Sequence, residues 1–469
     1  MSSPSPDLAT SEPEAPQGGA FAREHRALTV GVLLSVGMVA FESMGVATIL
    51  PVIAGELDGL AAYGWGFSAL MLANIVGTVV AGHRADRSGP ALPLGVGMAV
   101  FAVGCAVAGA ADSWALFLAG RVLQGLGVGA VMALAYVLIG LAYPERLRPR
   151  MYAIVSSAWT VPSLAGPFIA GVLADWADWR AVFLLMPPLA ALAFLMTVPG
   201  LRKRVPAPEG AQAKTPERWW RSPLASALVL TAGTALVLQA FAVGNAYGAV
   251  AVAVVGFALA VPALRRVTPE GTLTARSGLG AGVVVRGLLC AVYFGSEAFL
   301  PLGLQSLRGM SPAASGLGLS AGALTWVAGA ALQARWEAKR PNRARDMRLG
   351  FALLLAGVAV IAAAILVDAV PAPLAVVGWA IGGLGIGIGF NAGTSATLGL
   401  ASAERQGEVS SSLQLAQALS TALAAGVGGG VITVAAHAGA GTHTALLIVF
   451  GMTAALALCG LLMARRAAG

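Results

Sequence analysis

The strongest constraint on the fold is a series of about fourteen apolar runs, each long enough to cross a bilayer as a helix of roughly 20 residues. Only 11% of the 469 residues are charged and 58% are hydrophobic, whereas a soluble domain carries about 25% charged residues. The sequence therefore predicts an all-α polytopic membrane protein. The predicted spans cover residues 27–53, 63–81, 91–110, 114–142, 151–173, 180–201, 223–243, 247–264, 278–307, 313–334, 349–367, 374–398, 409–435 and 444–464.

The loops divide these spans into groups of six, two and six. The N-terminal residues are rich in Ser, Pro, Glu and Gly and predict a disordered tail rather than a signal peptide, since no short apolar core follows a basic start. The polar segment after the sixth span predicts a linker whose Trp219 and Trp220 lie at the headgroup level. The predicted parts are the tail (1–22), a first six-helix bundle (23–201), the linker (202–222), two accessory helices (223–264) and a second six-helix bundle (265–469).

Basic residues are concentrated on one side of the predicted membrane. Of the 29 Lys and Arg, Arg121 and Arg286 lie within spans and Arg180 and Arg308 lie on the other side, which leaves 25 on the first side. Cytoplasmic loops carry such an excess, so we expect both termini in the cytoplasm and the protein in the cell membrane. Because topology accounts for the net charge of +8, the charge predicts no nucleic-acid partner.

An acid lies deep in the first span. Glu42 stands nine residues before Pro51 in an otherwise apolar run. A charge at that depth costs at least about 2.5–3.5 kcal/mol, so such a group is retained when it is paired, protonated or part of a transport path. Arg121 in the fourth span is a candidate structural partner, because a guanidinium stays charged and needs an acceptor. A proton-carrying role and a purely structural role for Glu42 are both open.

The segment between the second and third spans carries a family signature. Residues 82–89 resemble the loop signature of the major facilitator superfamily, with Leu of the signature replaced by Arg84. The matching positions are Gly82, Ala85, Asp86, Arg87 and Gly89. The resemblance implies that this loop governs conformational exchange. The alternative is an ordinary inner loop held by positive charge, because short motifs match by chance.

Two further segments resemble motifs of the same superfamily. Arg121 with Gly125 in the fourth span resembles the buried-arginine motif, which the family associates with proton transfer. Residues 166–171 in the fifth span resemble the antiporter motif of drug exporters, where Gly166 and Pro167 would provide a kink and close helix contact. Without the resemblance, Arg121 is a partner for a backbone carbonyl and the second segment is a kinked packing helix.

The spacing from Glu42 to Pro51 completes the resemblance. It is similar to the acid-to-proline motif of fourteen-span drug:proton antiporters, which usually carry Asp at the acid position. By topology the resemblance covers the chain from about residue 27 to its end, and by motif it covers the first six spans. It implies a major facilitator fold with two six-helix bundles and two additional helices, and it implies proton coupling by Glu42 and Arg121.

The second half offers weaker candidates. Glu297 precedes Pro301 in the ninth span as Glu42 precedes Pro51, and we predict that Glu297 couples protons or binds substrate. Arg286 on the same helix is about 16 Å away, too far for a direct pair. The spans that line the cavity in this superfamily supply the substrate candidates Met44, Asn74, Trp159, Arg286, Trp326, Asn391, Gln414 and Gln417. Each is alternatively a packing or interhelical hydrogen-bonding residue.

We therefore expect a proton-coupled exporter of small amphipathic or cationic compounds that works by alternating access. The alternative is an exporter dedicated to one metabolite, lipid or siderophore with the same mechanism. The sequence has no Gly-x-x-x-x-Gly-Lys loop for ATP, no nucleophile–base set that would indicate an enzyme, and no recognisable channel filter. The expected partners are a small-molecule substrate, protons and membrane lipid, without a cofactor, and the expected assembly is a monomer.

Metal and disulfide chemistry are not expected. His437 and His443 are too isolated to indicate a metal site. Cys105, Cys290 and Cys459 all fall in apolar runs without ligand spacing, so we predict three buried thiols.

Overall fold

A computed structural model of the chain describes residues 19–205, 222–402 and 405–467, which form sixteen α-helices. Fourteen helical stretches of this described part are long and apolar enough to cross a membrane, which confirms the predicted all-α fold and number of spans. Trp219 and Trp220 of the predicted linker, and most of the predicted tail, lie outside the described residues. The helices are α1 (Arg26–Glu56), α2 (Trp65–Ser88), α3 (Ala91–Gly109), α4 (Trp114–Ala142), α5 (Arg148–Ser157), α6 (Thr160–Trp176), α7 (Arg180–Leu184), α8 (Met186–Arg204), α9 (Pro223–Gln239), α10 (Ala246–Val267), α11 (Leu279–Ser306), α12 (Pro312–Lys339), α13 (Arg343–Leu366), α14 (Leu374–Gly399), α15 (Gln406–His437) and α16 (Thr442–Met463).

The fifth and sixth spans are each built from two helices, where the sequence predicted one. The fifth is interrupted at Ala158 and Trp159, between α5 and α6. Pro162 explains the interruption, because it has no N–H to donate to the carbonyl of Ala158 and its ring crowds that carbonyl. The sixth is interrupted at Leu185, directly before two prolines at the start of α8. Helix α6 continues through Gly166 and Pro167.

The segment 82–89 is not a loop, and the prediction on this point is wrong. Helix α2 runs on to Ser88, so Gly82, Asp86 and Arg87 occupy its last two turns. No helix breaker precedes Gly89, whose positive φ of 74° ends the helix. The charged residues therefore continue the apolar span as a helix beyond the predicted membrane boundary.

The two six-helix bundles meet through several pairs of described helices. Helix α1 packs against α11 and α12, α2 against α15, and α6 against α12. The last pair is in backbone contact: a Cβ built on Gly316 of α12 would lie 2.2 Å from the carbonyl oxygen of Pro167 in α6. Small residues permit such close approach between membrane helices. The predicted close helix contact at Pro167 is thus confirmed.

The bundles are joined at one end only. We call the end with Arg84, Arg87 and the loop after α4 the basic end, and the other the opposite end. Among the described residues, each hydrogen bond between the bundles lies in the half towards the opposite end. These bonds are Tyr63 Oη to Ala298 O (3.0 Å), Ser68 Oγ to Ala422 O (2.7 Å), Gln305 Nε2 to Thr48 O (2.8 Å), Ala313 N to Asp175 Oδ2 (3.1 Å) and Thr433 Oγ1 to Ala61 O. The described hydrogen bonds between the bundles therefore hold them together at the opposite end.

Two helices, α9 and α10, lie outside the twelve spans of the two bundles. Helix α9 lies along α2 and α15, and α10 packs mainly on α9. The side chains of Ser222 and Asn245 cap the two helices by accepting hydrogen bonds from backbone N–H groups of their first turns. Side chains of α10 face outwards, with Tyr247 91% exposed and Val250 63% exposed. In a membrane such a surface contacts lipid.

The cysteines follow the prediction in part. Cys105 and Cys290 are buried, but Cys459 is exposed. Cys459 lies on α16, which packs on one side against α11, α13 and α15 and leaves its other side uncovered. The predicted burial of Cys459 is wrong because a span at the edge of a membrane bundle buries only one face.

Candidate functional site

The centre of the first bundle is an ion pair between Glu42 and Arg121. Glu42 projects from α1 and is fully buried, and Arg121 projects from α4 and is 2% exposed. Nη1 of Arg121 donates to Oε1 of Glu42. A charged group buried to this extent is stable only with a partner, and each residue supplies the other's. The structure thus brings together two residues that are 79 positions apart.

Three neighbours complete the surroundings of Arg121. Nε donates to the carbonyl oxygen of Gly66 at 2.9 Å, and Nη1 also donates to Oε1 of Gln124 at 2.8 Å. The amide of Gln124 in turn donates to the thiol sulfur of Cys105 at 3.3 Å. The site therefore draws on helices α1, α2, α3 and α4. Gln124 was missed as a site residue, although its place one helical turn after Arg121 was the signal that could have found it.

One oxygen of Glu42 has no partner. Oε2 is buried and makes no hydrogen bond among the described residues. A buried acceptor without a partner costs about 1–3 kcal/mol. The carboxylate is therefore satisfied on one side only, and a proton on Oε2 would need no rearrangement of the bond from Arg121 to Oε1.

The signature residues at the end of α2 face water. Asp86 and Arg87 are exposed, and within the described part of the chain neither makes a hydrogen bond or an ion pair. They lie at the basic end, where the described residues form no hydrogen bond between the bundles. Their predicted role in conformational exchange stays a prediction, and its partner would have to be a surface that approaches when this end closes.

Gly166 and Pro167 lie where the two bundles touch. Both are buried, and a Cβ built on Gly166 would lie 3.4 Å from the ring of Phe41, the residue before Glu42. Pro167 packs against α12 of the second bundle, as described above. This part of α6 therefore touches both the segment that carries Glu42 and the other bundle.

In the second bundle the two deep charges are unpaired. Arg286 is 5% exposed and Glu297 is 7% exposed, both on α11. Arg286 donates to Oγ1 of Thr394 and stacks on the ring of Phe390, with its Cζ 3.4 Å from the ring centre. No carboxylate lies within ion-pair distance of Arg286, and Glu297 has neither a hydrogen bond nor an ion pair within the described ranges. The prediction that these two residues are too far apart to pair is confirmed.

Aromatic rings line the stretch between these two charges. Tyr293 stacks on Trp379 at 4.3 Å between ring centres and meets Trp326 edge-on at 5.1 Å. Trp326 also lies 5.6 Å from the ring of Phe390. Trp326 was predicted to line the cavity, whereas Tyr293 and Phe390 were missed because aromatic residues in an apolar run look like core.

The remaining candidates are dispersed. Asn74 accepts a hydrogen bond from Thr78 at the α2–α4 contact, and Asn391 donates to the carbonyl oxygen of Ala330 between α14 and α12. Met44 and Trp159 are half-buried, and Gln414 is exposed near the basic end. Oε1 of Gln417 is buried without a hydrogen bond. The bond of Asn391 is the interhelical bond that we gave as the alternative to substrate contact, whereas the bond of Asn74 lies within α2.

Glu42 and Glu297 are not equivalent positions. Pro51 lies five residues before the end of α1, and Pro301 lies five residues before the end of α11. Glu42 is nine residues before its proline, but Glu297 is four residues before its own. Aligned on the prolines, Glu297 is more than one helical turn nearer to the opposite end. The two acids therefore occupy different depths in the two bundles.

Solved structures with this arrangement of helices are transporters. A crystal structure of an auto-inhibited POT family peptide transporter matches 94% of this chain and 97% of its own, with a TM-score of 0.68 and 16% sequence identity. A crystal structure of the nucleoside transporter NupG matches 93% of this chain and 99% of its own, with a TM-score of 0.66 and 13% identity. At such identities the likeness concerns the fold alone.

Curated relatives are efflux proteins by name. The chain is 30% identical over 198 residues to the MFS efflux transporter aclA of Aspergillus oryzae, which covers 42% of this chain and 36% of the relative. It is 24% identical over 344 residues to the efflux pump dotC of Dothistroma septosporum, with 70% and 57% covered. It is 26% identical over 169 residues to the multidrug efflux pump SdrM of Staphylococcus aureus, with 36% and 38% covered. Each match spans less than two thirds of the relative.

A family profile covers most of the chain. The profile of the Major Facilitator Superfamily matches residues 32–425, which include most of α1, both accessory helices and most of the second bundle. Together with the helical arrangement and the residues of the signature, this match establishes that the chain belongs to the Major Facilitator Superfamily.

Proposed function

We propose that this protein is a proton-coupled exporter of small amphipathic or cationic compounds in the cell membrane, with both termini in the cytoplasm. The observation that carries the proposal is the half-satisfied carboxylate of Glu42, fully buried and paired with Arg121. Ionisable residues in such positions of membrane proteins mark proton or ion pathways. On this proposal the basic end faces the cytoplasm.

The network allows the ion pair to break without leaving Arg121 alone. When Glu42 takes up a proton, its attraction to the guanidinium weakens, but Arg121 keeps the carbonyl oxygen of Gly66 and the amide oxygen of Gln124. A buried cation with remaining acceptors costs far less than one that loses its only partner. The free energy needed to protonate Glu42 is therefore small, as a transport cycle requires.

Gly66 gives the proton site a physical connection to the contact between the bundles. Its carbonyl oxygen accepts from Arg121, and its N–H donates to the carbonyl oxygen of Tyr63 at 3.0 Å. The hydroxyl of Tyr63 donates across to Ala298 of the second bundle. A change in the Glu42–Arg121 pair thus acts on the residues that close the opposite end, which is how a proton could bias alternating access.

A second candidate is an exporter dedicated to one metabolite. It is favoured by the name of one relative, the acurin A biosynthesis cluster MFS-type transporter of Aspergillus aculeatus (30% identical over 179 residues). The two candidates share the mechanism and differ in the range of compounds exported.

The deciding experiment uses proteoliposomes that contain only the purified protein. A pH gradient should drive uphill movement of cationic dyes, and Glu42→Gln should abolish it while Glu270→Gln, at an exposed acid, should not. A panel of unrelated compounds separates the two candidates, because a dedicated exporter would move one chemical class. Uphill transport by a well-folded Glu42→Gln protein would exclude Glu42 as the proton carrier.

A further inference from the structure

The four deep charges of the spans differ in how they are neutralised. Glu42 and Arg121 neutralise each other in the first bundle. Arg286 and Glu297 in the second bundle are as deeply placed, yet neither has an oppositely charged partner among the described residues. Burying an unpaired charge is unfavourable, and such charges in membrane proteins are retained where a ligand completes them. The second bundle is therefore incomplete on its own.

Arg286 and Glu297 lie on the same face of α11. Eleven residues separate them, which is three helical turns and about 16 Å along the axis. Tyr293 lies on this face one turn before Glu297. A molecule lying along α11 would meet a positive group at one end and a negative group at the other.

The surface between the two charges is a continuous aromatic wall. The guanidinium of Arg286 covers Phe390, Phe390 contacts Trp326, and Trp326 contacts Tyr293. Trp326 and Phe390 are half-buried, so this wall is not fully covered by protein. The stacking of Tyr293 on Trp379, whose indole N–H donates to the carbonyl oxygen of Leu319 at 3.0 Å, holds the wall rigid. Rigid aromatic faces suit flat apolar groups.

We propose that α11, α12 and α14 form a binding site for elongated zwitterionic aromatic molecules. The anionic group of the ligand lies at Arg286 and its cationic group lies at Glu297. Its flat body lies on the uncovered parts of Phe390 and Trp326, and the buried ring of Tyr293 supports Trp326. The guanidinium of Arg286 donates one hydrogen bond to an uncharged oxygen, Oγ1 of Thr394. A planar guanidinium with further N–H donors suits a carboxylate. This site narrows the range of compounds that the proposed exporter would transport. The inference rests on the proposed function only in that the bound molecule is taken to be the transported compound.

Equilibrium binding with three matched probes tests the charge requirement. The probes are 4′-(aminomethyl)biphenyl-4-carboxylic acid, its methyl ester, which is a cation only, and its N-acetyl derivative, which is an anion only. Binding is measured by calorimetry on the full-length protein in lipid nanodiscs. The zwitterion should bind at least about tenfold more tightly than either derivative, since each derivative leaves one buried charge without a partner. Equal affinities, or no measurable binding of the zwitterion, would overturn the proposal.

Variants assign each charge to its end of the ligand. Arg286→Gln should reduce the affinity for the zwitterion and the N-acetyl acid but leave the ester unaffected. Glu297→Gln should reduce the affinity for the zwitterion and the ester but leave the N-acetyl acid unaffected. The matched controls are Arg335→Gln and Glu270→Gln, both at exposed positions. Retained binding of one probe shows that a variant is folded, and a uniform loss by a folded variant would contradict the assignment.

This test is independent of proton coupling. Binding is measured at equilibrium without a pH gradient, so a protein that fails to pump still gives the three-probe comparison. Conversely, proton-driven movement of purely cationic dyes with no preference for the zwitterion would support the export function and refute this site.

Discussion

The hydroxyl of Tyr63 donates to the carbonyl oxygen of Ala298 at 3.0 Å, which joins the start of the second span to the middle of α11 across the bundle interface. The ring of Tyr63 also lies 5.7 Å from that of Phe299. Together with the bond from Gln305 to Thr48, this contact closes the opposite end. Since the described bonds between the bundles all lie towards that end, they favour one conformation over its alternative, and their removal should be visible as a shift in population.

The first prediction concerns Gln305. Its amide donates to Thr48 O and to Ser315 Oγ, both at 2.8 Å. Only the bond to Thr48 joins the two bundles, so Gln305→Ala should destabilise the form closed at the opposite end by about 0.5–1.5 kcal/mol. Spin labels at Leu60→Cys and His437→Cys, on either side of this end, should show a longer and broader distance distribution.

The control for Gln305 is another glutamine outside the interface. Gln239→Ala, at the exposed end of α9, should leave the distance distribution unchanged. An unchanged distribution in Gln305→Ala would mean that apolar packing, and not this amide, holds the end closed.

The second prediction separates the two members of the buried pair. Arg121→Met leaves the carboxylate of Glu42 without a cation and should destabilise the fold by about 3–5 kcal/mol. Glu42→Gln keeps an oxygen for Arg121 to donate to, so it should cost less, about 1–3 kcal/mol. Thermal unfolding of both purified variants measures the order, and a Glu42→Gln protein less stable than Arg121→Met would contradict it.

The same variants bear on the role of Glu42. If the acid carries the proton, Glu42→Gln is folded but does not pump, whereas Glu42→Asp keeps partial activity because it still titrates. If the acid is only structural, transport by each variant should follow its thermal stability.

The third prediction concerns Asp86 at the end of α2. It is exposed and unpaired among the described residues, so a partner on the other bundle would have to approach it in another conformation. Asp86→Asn should slow turnover and leave substrate affinity within about twofold, because the residue is far from the buried charges. Asp58→Asn, at the opposite end, is the matched control. A large loss of affinity at normal turnover would identify Asp86 as a binding residue instead.

The fourth prediction is the orientation in the membrane. On a background with Cys459→Ser, Ser277→Cys at the basic end should react with an impermeant maleimide only after the cells are opened. Gly244→Cys, in an open turn at the opposite end, should react in intact cells. The reverse pattern would place the basic loops outside and contradict the expectation from charge.

Sequence patterns predicted the spans well because bilayer thickness fixes the length of an apolar helix. They placed Glu42 and Arg121 in the membrane but left their pairing open, since contact between residues 79 apart depends on how α1 packs against α4. The helix through Asp86 was missed because charge was read as the end of a span, although only Gly89 can end it. The break before α6 could be predicted from Pro162, because a proline removes the helical hydrogen bond to the carbonyl four residues earlier.

The aromatic wall of the second bundle could not be predicted from the sequence, for a different reason. Tyr293 and Phe390 lie on different helices, and no local spacing connects them. The recurrence of Arg286, Tyr293 and Glu297 along one stripe of α11 was the readable part, because residues seven and eleven positions apart share a face. That stripe indicates polar function within an otherwise apolar helix.

The position of α9 has a consequence for compounds dissolved in the bilayer. The bundles meet lipid at two lateral seams, one between α2 and α15 and one between α6 and α12. Helix α9 lies over the first seam and α10 lies behind it, whereas neither of these two helices packs against the second seam. A lipophilic molecule that diffuses sideways in the membrane leaflet therefore meets a flank covered by two extra helices on one side of the protein and the bare contact between α6 and α12 on the other.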